Sequence, residues 1–299
     1  MYCRQEGVIR VDNLGGYVCR EHFYRYFYKR VRRVLRKAGK GKKMLIAVSG
    51  GKDSVTALHA LSKLRDEFKL ELGALLIDLG FQVDINLENF LYKLAETYEA
   101  KPYFVSLKEE IGTTIPELNR RDACKVCGLV KRHIFNRVAY ENGYDYLVTG
   151  HNLSDIGYFA INNLITHNLY FFKYLDSVIK PVPGLKMVGR VRPLFWLTDQ
   201  DTSNYVRVEG IKIVDFKCPY SETDKQRFIK PFLESILEKW PNSLKNLVSS
   251  TRYLAFNDNV EAIGIPTRAC KICGYPSRYD ICSYCRLKLK HKKSLQVNE

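Results

Sequence analysis

Short apolar runs alternate with longer amphipathic segments through the middle of the chain. Four runs have the length and composition of buried strands and occupy residues 44–48, 72–77, 103–107 and 146–149. Between them, apolar residues recur at three- and four-residue spacing, which predicts helices over residues 55–68, 87–98 and 130–141. This alternation predicts an α/β fold in which helices cover both faces of a parallel sheet.

A basic amphipathic segment precedes the first predicted strand. Residues 20–43 contain eleven Lys or Arg residues and a single acid, Glu21. A helix is predicted over residues 23–37, because apolar residues at helical spacing form one face and leave the rest cationic. Tyr24, Tyr26 and Tyr28 interleave with these charges and are candidates for stacking on nucleic-acid bases.

The first predicted strand ends in a loop suited to holding an anion. Its sequence is Ser49-Gly50-Gly51-Lys52-Asp53-Ser54, and a predicted helix follows directly. Glycines let backbone amides approach a phosphate closely, and the positive end of the helix points at the same place. The spacing differs from that of the GxxxxGK[ST] and GxGxxG nucleotide loops. The alternative is an ordinary strand-to-helix corner in which Ser49, Asp53 or Ser54 caps the helix.

A second polar loop, which carries His151 and Asp155, follows the strand at 146–149. Ligands of such folds bind beyond the carboxyl ends of the parallel strands. The loops at 49–54, 78–80 and 150–155 are therefore predicted to converge. The alternative is that Asp155 only caps the next helix and that His151 is a hydrogen-bonded loop residue.

The nine cysteines fall into three groups by spacing. Two C-x2-C pairs near the C-terminus predict a structural zinc site made of Cys270, Cys273, Cys282 and Cys285. A second zinc site near the N-terminus would use Cys3, Glu6, Cys19 and His22. A glutamate is an uncommon ligand in structural zinc sites, and without the metal Cys3 and Cys19 would be small buried residues.

The third group consists of Cys124, Cys127 and Cys218, and three thiolates do not close a tetrahedral zinc site. They could hold a [4Fe-4S] cluster with one iron left open. They could equally form a persulfide or disulfide relay, or bind zinc with a further ligand. Residue type and spacing leave these three readings open.

Composition and charge indicate the domain organisation, the cellular location and the binding partners of the protein. A chain of 299 residues, 46% of them hydrophobic, can bury a large core and carry small satellite domains. We predict an N-terminal zinc finger with the basic helix (1–38), a catalytic domain (39–253), and a C-terminal zinc ribbon with a basic tail (254–299). No signal peptide or apolar run of about 18 residues is seen, so a cytoplasmic protein without membrane contact is expected. The net charge of +16 favours nucleic acid as partner.

The chain as a whole resembles the PP-loop ATP-dependent tRNA 2-thiolation enzymes of the TtcA/TtuA family. The resemblance rests on residues 49–54, Cys124-x2-Cys127 with Lys131 and Arg132, residues 149–152 with Asp155, Arg192-Pro-Leu194, Cys218-Pro-Tyr-Ser221 and the cysteine-bearing ends. It implies a PP-loop, adenine nucleotide alpha hydrolase-like (Rossmann-like) parallel sheet core, flanked by small N- and C-terminal zinc-binding domains. Zinc sites at both ends look most like the two-zinc-finger tRNA 2-thiouridine synthetases that modify the T-loop uridine.

The resemblance also implies a reaction and its site. ATP with Mg²⁺ would adenylate O2 of a uridine, and sulfur delivered through a [4Fe-4S] cluster on Cys124, Cys127 and Cys218 would replace that oxygen. The residues implied as catalytic are Lys131, Asp155 and Asp53. Those implied for ATP binding are Ser49, Gly50, Gly51, Lys52, Asp53, Ser54, Ile77 and Gly150.

Partners and target follow in the same way. The resemblance implies tRNA and a thiocarboxylated ubiquitin-like sulfur carrier as partners, and a homodimer is expected. The expected target is uridine 54 of the T-loop, with wobble uridine 34 as the alternative. The competing functions are a non-catalytic zinc-containing RNA-binding protein and a different ATP pyrophosphatase, such as an amide ligase.

The chain departs from the family pattern at two places. Glu6 stands where the N-terminal finger usually has a second thiolate. After Gly150-His151-Asn152, the family tends to show two acids followed by Glu-Ala, whereas this chain has Ser154-Asp155-Ile156-Gly157. Asp155 is therefore the acid that remains in this motif.

Overall fold

The computed structural model describes residues 5–118, 123–214, 218–220, 226–257 and 268–296. An antiparallel hairpin comes first, formed by β1 (Ile9–Val11) and β2 (Gly16–Val18) around a short 3₁₀ turn (Asp12–Leu14). The basic helix α1 (Arg20–Ala38) follows, as the sequence predicted.

The core is a six-stranded sheet. Its strands in chain order are β3 (Lys43–Ala47), β4 (Glu71–Asp78), β5 (Lys101–Ser106), β6 (Tyr146–Val148), β7 (Val178–Ile179) and β8 (Gly189–Val191). Their order in space is β5-β4-β3-β6-β8-β7. Every neighbouring pair is parallel except β7 with β8. The predicted parallel sheet is confirmed, with an antiparallel strand added at one edge.

Helices connect these strands and extend beyond them. They are α2 (Lys52–Lys63), α3 (Arg65–Phe68), α4 (Leu87–Thr97), α5 (Leu107–Ile111), α6 (Ala123–Glu141), α7 (Leu153–Ile165), a 3₁₀ segment (Leu169–Tyr174), α8 (Asp199–Glu209), α9 (Gln226–Lys239) and α10 (Ser243–Asn257). A small hairpin of β9 (Arg268–Ala269) and β10 (Pro276–Ser277) then leads into α11 (Ser283–Gln296).

Strand β3 is the point at which the sheet order reverses. Ile46 pairs with Ala74 of β4 on one side and with Val148 of β6 on the other. In open α/β sheets, ligands bind in the crevice beyond the strands' carboxyl ends at such a switch point. The loops that follow β3 and β6 border this crevice.

The two faces of the sheet are covered by separate hydrophobic clusters. Because side chains alternate along a strand, Met44 and Ile46 belong to one cluster and Leu45 to the other. The first cluster includes Phe27 of α1 and further residues of α2, α7 and α8. The second includes Ile134 of α6 and residues of the C-terminal segment. The predicted two-sided covering of the sheet is therefore confirmed.

Three element boundaries differ from the sequence-based ones. The helix predicted over 55–68 is interrupted at Leu64 (φ −106°, ψ 6°), so α3 is a separate turn. Leu107 begins α5 instead of ending a strand, because the hydroxyl of Ser106 accepts a hydrogen bond from Glu109 N. Helix α6 begins at Ala123, so Cys124 and Cys127 lie in its first turns.

The tyrosines of α1 are less available than the sequence suggested. Tyr26 is only 6% exposed, and its hydroxyl donates to Asp201 Oδ2 at 2.8 Å. Tyr24 and Tyr28 pack against Tyr205 of α8 with their rings partly covered. The prediction of base stacking is therefore wrong for Tyr26.

None of the helices in the described part of the chain combines the length and apolar character that a membrane span needs.

Candidate active site

The loop after β3 has the shape that its glycines require. Gly50 adopts φ +82°, and a Cβ there would lie 2.7 Å from Val214 Cγ2, so a larger residue would strain both backbone and packing. Ser54 Oγ accepts a hydrogen bond from Ser49 N (3.1 Å) and donates to Gly51 O (2.9 Å), which closes the loop. Gly51 is the N-cap of α2 and provides no side-chain cap. The first-turn amides of α2 are therefore left to bind an anion.

The loop after β6 lies directly against this first turn. A Cβ on Gly150 would come within 2.7 Å of the carbonyl carbon of Asp53 and 2.8 Å of Ser54 N. Only a glycine allows two backbone segments to approach so closely. The sequence-predicted residues of the two loops are thus brought together at the carboxyl edge of the sheet.

Lys52 and two carboxylates form the charged centre of the crevice. Lys52 Nζ donates to Asp53 Oδ2 (2.9 Å) and to Asp199 Oδ1 (2.8 Å). Asn152 Nδ2 donates to Asp199 Oδ1 (2.9 Å) and to Asp53 Oδ1 (3.2 Å). Thr202 Oγ1 donates to Asp53 Oδ1 at 2.7 Å. Three elements, α2, α7 and α8, are therefore joined through a single polar network.

The pKa values of Asp53 and Asp199 are shifted in opposite directions. Burial raises the pKa of Asp53 above its ordinary value, and the nearby Lys52 only partly opposes this effect. Burial also acts on Asp199, but Lys52 and Asn152 outweigh it and hold the Asp199 pKa below its ordinary value. Burial disfavours the charge of Lys52, yet Asp53 and Asp199 together raise its pKa. The ion pair of Lys52 with Asp199 is therefore fully charged at neutral pH.

Asp155 caps the helix that follows it and also forms an ion pair with a distant helix. It forms a capping box with Asn152 at the start of α7, in which each side chain accepts a hydrogen bond from the other residue's backbone N–H. Its other carboxylate oxygen forms an ion pair with Lys230 of α9. Burial lowers the pKa of Lys230, but Asp155 and the more distant Asp199 raise it by more. The pKa of Lys230 is therefore above its ordinary value.

His151 is held as a neutral loop residue. Its Nδ1 lies 2.8 Å from Thr149 Oγ1. Burial and the neighbouring Arg192 lower its pKa to about 4, although Asp155 partly opposes the shift. A histidine with such a pKa carries no charge at neutral pH, so it contributes hydrogen bonding and packing to this loop.

The three cysteines outside the zinc motifs share one location. Cys124 and Cys127 lie in the first turns of α6, and Cys124 Sγ is 3.9 Å from Tyr220 O, close to Cys218. Burial raises the pKa of the Cys127 thiol, and Lys131 opposes the rise through its charge and a hydrogen bond. Cys218 and Cys124 add to the rise. Lys131 is therefore beside the thiols.

This cysteine group borders the same crevice as the anion-binding loop. Cys127 packs against the same hydrophobic cluster as Ala47, which ends β3, and Ile77 near the end of β4. Phe81, which follows β4, has its ring 6.1 Å from that of Tyr220. The thiol group and the loop thus lie at the same edge of the sheet.

The four C-terminal cysteines are arranged to hold one metal ion. The Sγ atoms of Cys270, Cys273, Cys282 and Cys285 all lie within 4.8 Å of one another. Backbone N–H groups of Cys282 and Cys285 point at the sulfurs of Cys270 (3.2 Å) and Cys282 (3.4 Å), as in metal-binding knuckles. Four sulfurs converging in this way fit a tetrahedral zinc ion.

The N-terminal site is partly described. Cys19 Sγ lies 3.1 Å from His22 Nδ1 at the start of α1, so these two predicted ligands are adjacent. Glu6 is exposed. Cys3 lies outside the described residues, and the N-terminal zinc site remains a prediction.

Sequence reasoning missed Asp199, Thr202 and Lys230. Asp199 and Thr202 are 147 and 150 positions from Lys52, and only the tertiary fold brings them to it. The one available signal was the Thr198-x-x-Asp201 pattern, which predicts a helix N-terminus and forms a capping box here. That pattern locates the start of α8 but does not indicate which element its first turn faces.

Known proteins share this combination of fold and site. A family model described as the PP-loop domain matches residues 23–220. The tRNA-5-methyluridine(54) 2-sulfurtransferase of Pyrococcus horikoshii is 32% identical over 95% of this chain and 92% of its own. The protein of the same name from Thermotoga maritima is 32% identical over 97% and 96%.

A solved structure agrees with these sequence matches at the level of the fold. The U34-tRNA thiolase NcsA from Methanococcus maripaludis, solved with its [4Fe-4S] cluster, superposes with a TM-score of 0.79 at 24% identity. The superposition covers 99% of this chain and 96% of that one. The chain belongs to the PP-loop family and, within it, to the tRNA 2-thiolation enzymes.

Proposed function

We propose that this protein is an ATP-dependent tRNA 2-thiouridine synthetase, a tRNA sulfurtransferase that modifies uridine 54 of the T-loop. The carrying observation is that the anion-binding loop and the group of Cys124, Cys127 and Cys218 lie at one edge of the same sheet. One part suits activation of a carbonyl and the other suits sulfur delivery. Both relatives at 32% identity carry the name of this reaction.

Activation is the task of the PP-loop. The O2 oxygen of uridine is a poor leaving group, so it would attack the α-phosphorus of ATP and release pyrophosphate. The free amides at the start of α2, with Lys52, would stabilise the negative charge that develops on the pyrophosphate. Asp53, Asp199 and Asp155 supply the carboxylate oxygens that Mg²⁺ prefers. Ile77 and Gly150 would border the nucleotide.

Sulfur transfer is assigned to the three cysteines. Three neighbouring sulfur ligands, with Cys124 exposed, fit a [4Fe-4S] cluster that has one iron open. When bound, such a cluster would present sulfur at the crevice. Lys131 places a positive charge beside Cys127, where it favours an anionic sulfur. The same charge would neutralise the phosphate of the adenylate. Attack at C2 forms the carbon–sulfur bond, and AMP leaves with the original oxygen.

The remaining assignments rest on the family resemblance and the cysteine geometry. Zinc would be structural at Cys270, Cys273, Cys282 and Cys285, because four protein ligands leave no open position. The sulfur would come from a thiocarboxylated ubiquitin-like carrier, and the protein would act as a cytoplasmic homodimer. Wobble uridine 34 is the second candidate target, since the superposed thiolase is named for that nucleotide.

The test is anaerobic reconstitution with unmodified tRNA, MgATP and sulfide, followed by nucleoside mass spectrometry. We expect 2-thiouridine and one AMP per thiolation in the wild type, and neither product with Asp53→Asn. Cys127→Ser should abolish 2-thiouridine. Ribonuclease fragments separate the T-loop from the anticodon stem. If tRNA stays unthiolated while AMP still forms, or if Cys127→Ser thiolates normally, the proposal is wrong.

A further inference from the structure

A cationic cleft lies beside α1, separate from the crevice of the anion-binding loop, and Cys19 and His22 of the predicted N-terminal zinc site are among the residues that line it. It encloses about 720 Å³ between α1, the β1–β2 hairpin and the start of α10. Its lining includes Arg25, Lys29, Arg30, Arg33 and Lys245. No carboxylate is among the described residues that line it. Five positive charges around one concavity favour an anionic ligand there.

The register of α1 sets this row of charges. Arg25, Lys29 and Arg33 are four residues apart, so one cation projects into the cleft per helical turn of about 5.4 Å. The opposite face carries Phe27 and Val31, which are fully buried in the core. The burial of that face fixes the rotation of the helix, so the cationic row cannot turn away from the cleft.

The cations of the cleft differ in their internal contacts, and Arg30 donates a hydrogen bond to Tyr26 O at 3.2 Å. The ion pair of Arg25 with Glu21 joins two side chains that are 58% and 64% exposed, and such a pair contributes little. Lys29 and Arg33 have no acidic partner in the described part of the chain. Arg30 lies over the ring of Tyr26 at 3.4 Å, which orients its guanidinium without neutralising it.

Aromatic side chains line the same cleft. Arg33 lies 4.9 Å from the ring centroid of Trp196, and Tyr17 of β2 is 64% exposed at the rim. A guanidinium stacked on an aromatic ring keeps its N–H donors free for phosphate oxygens. An exposed tyrosine next to a row of cations is typical of surfaces that bind single-stranded nucleic acid.

We propose that this cleft binds a phosphodiester segment of the RNA substrate, with Lys29 and Arg33 contacting phosphates and Tyr17 stacking on an unpaired base. The inference rests on the proposed function, because tRNA is the polyanion that this enzyme would have to hold. It moves base stacking from Tyr26, whose ring is buried, to Tyr17 on the adjoining hairpin. Contacts of this kind add affinity and position the RNA without taking part in the chemistry.

The test compares two charge-matched double variants in the full-length protein. Lys29→Glu with Arg33→Glu reverses two charges in the cleft, and Arg36→Glu with Lys40→Glu reverses two exposed charges of the α1 region outside it. Binding of an unmodified tRNA transcript is measured by fluorescence anisotropy over a series of salt concentrations. Circular dichroism verifies that both variants are folded.

We expect the cleft variant to bind tRNA at least about tenfold more weakly. Its salt slope, the slope of the logarithm of the binding constant against that of salt concentration, should be smaller in magnitude by about 1.4 to 1.8 for two lost phosphate contacts. The control should stay within about twofold of the wild type. Tyr17→Ala should weaken binding about fivefold or more and leave the salt slope unchanged. Equal weakening in the two double variants, or an unchanged salt slope in the cleft variant, would overturn the inference.

The outcome is separable from that of the proposed function. If the wild type thiolates tRNA and the two double variants bind alike, the cleft assignment fails while the enzymatic function stands. If the cleft variant loses tRNA binding as expected but the wild type forms no 2-thiouridine, the enzymatic function fails and the RNA-binding cleft stands. Lys52→Met provides a binding control, because it should impair activation without weakening tRNA affinity.

Discussion

At the scale of single residues, we expect activation of the substrate to depend most on Lys52. Its ammonium group is held between Asp53 and Asp199, so its position is set before any nucleotide binds. A positive charge fixed in advance stabilises a developing anion without the cost of reorganisation. The same two carboxylates keep Lys52 protonated despite its burial.

Replacing Lys52 by Met should therefore slow ATP-dependent AMP formation by about 100-fold. Pyrophosphate release at saturating ATP and tRNA is the measurement, and tRNA affinity should not change. Lys63→Met removes an exposed lysine at the far end of the same helix and serves as the control. Similar rates in the two variants would show that Lys52 has no role in activation.

A second residue-scale prediction concerns Asp201, which is completely buried in the first turn of α8. It accepts hydrogen bonds from Thr198 N (2.9 Å) and from the hydroxyl of Tyr26. Burial nevertheless raises the Asp201 pKa from 3.8 to about 6. The folded state thus binds a proton that the unfolded state has released between pH 4 and 6, so stability falls as the pH rises through that window.

The shift corresponds to about 3 kcal/mol of the free energy of unfolding. Asp201→Asn removes the titrating group. Its free energy of unfolding, compared with that of the wild type, should therefore rise by up to about 3 kcal/mol between pH 4 and pH 7. Urea unfolding at four pH values measures the difference, and Asp66→Asn, at an exposed site, is the control. A difference independent of pH would contradict the assignment.

At the scale of elements, the sequence predicted more of the sheet than of the crevice. The strands 44–48 and 72–77 were recognisable because buried parallel strands are short continuous apolar runs. The break at Leu64 was not, since apolar spacing continues across it to Phe68. The anion loop was readable as a contiguous motif, whereas Lys230, the partner of Asp155, lies on a helix that begins more than 70 residues later.

The close contact of the two loops gives an element-scale prediction. In Gly150→Ala the new methyl group would meet the backbone of Asp53, which belongs to a helix and cannot rotate away. The loop after β6 should then move off α2, which should lower the free energy of unfolding by about 1–3 kcal/mol. AMP formation should fall as well. Gly16→Ala, where nothing lies within 4 Å of the added methyl, is the control. Equal thermal midpoints would refute the prediction.

At the scale of the whole molecule, the C-terminal segment is joined to the core mainly through α6. The Tyr284 ring stacks on His133 at 3.9 Å between centroids, and its hydroxyl donates to Glu110. The Tyr275 hydroxyl donates to Glu141, near the end of α6. The same helix carries Cys124 and Cys127 at its other end. Order in the segment that carries the four cysteines thus supports the helix that holds the proposed cluster ligands.

If zinc binds at the four C-terminal cysteines as we propose, its loss should destabilise α6 before the rest of the fold. Cys282→Ser removes one of four converging sulfurs, and a structural zinc site contributes its binding energy directly to folding. We expect one zinc fewer per chain by mass spectrometry and hydrogen exchange faster by at least about tenfold in residues 268–296 and in α6. Exchange in α10, on the other face of the sheet, should not change. Ile272→Ser, in the same knuckle but without a ligand role, should retain zinc. Unchanged exchange in α6 after zinc loss would refute this coupling.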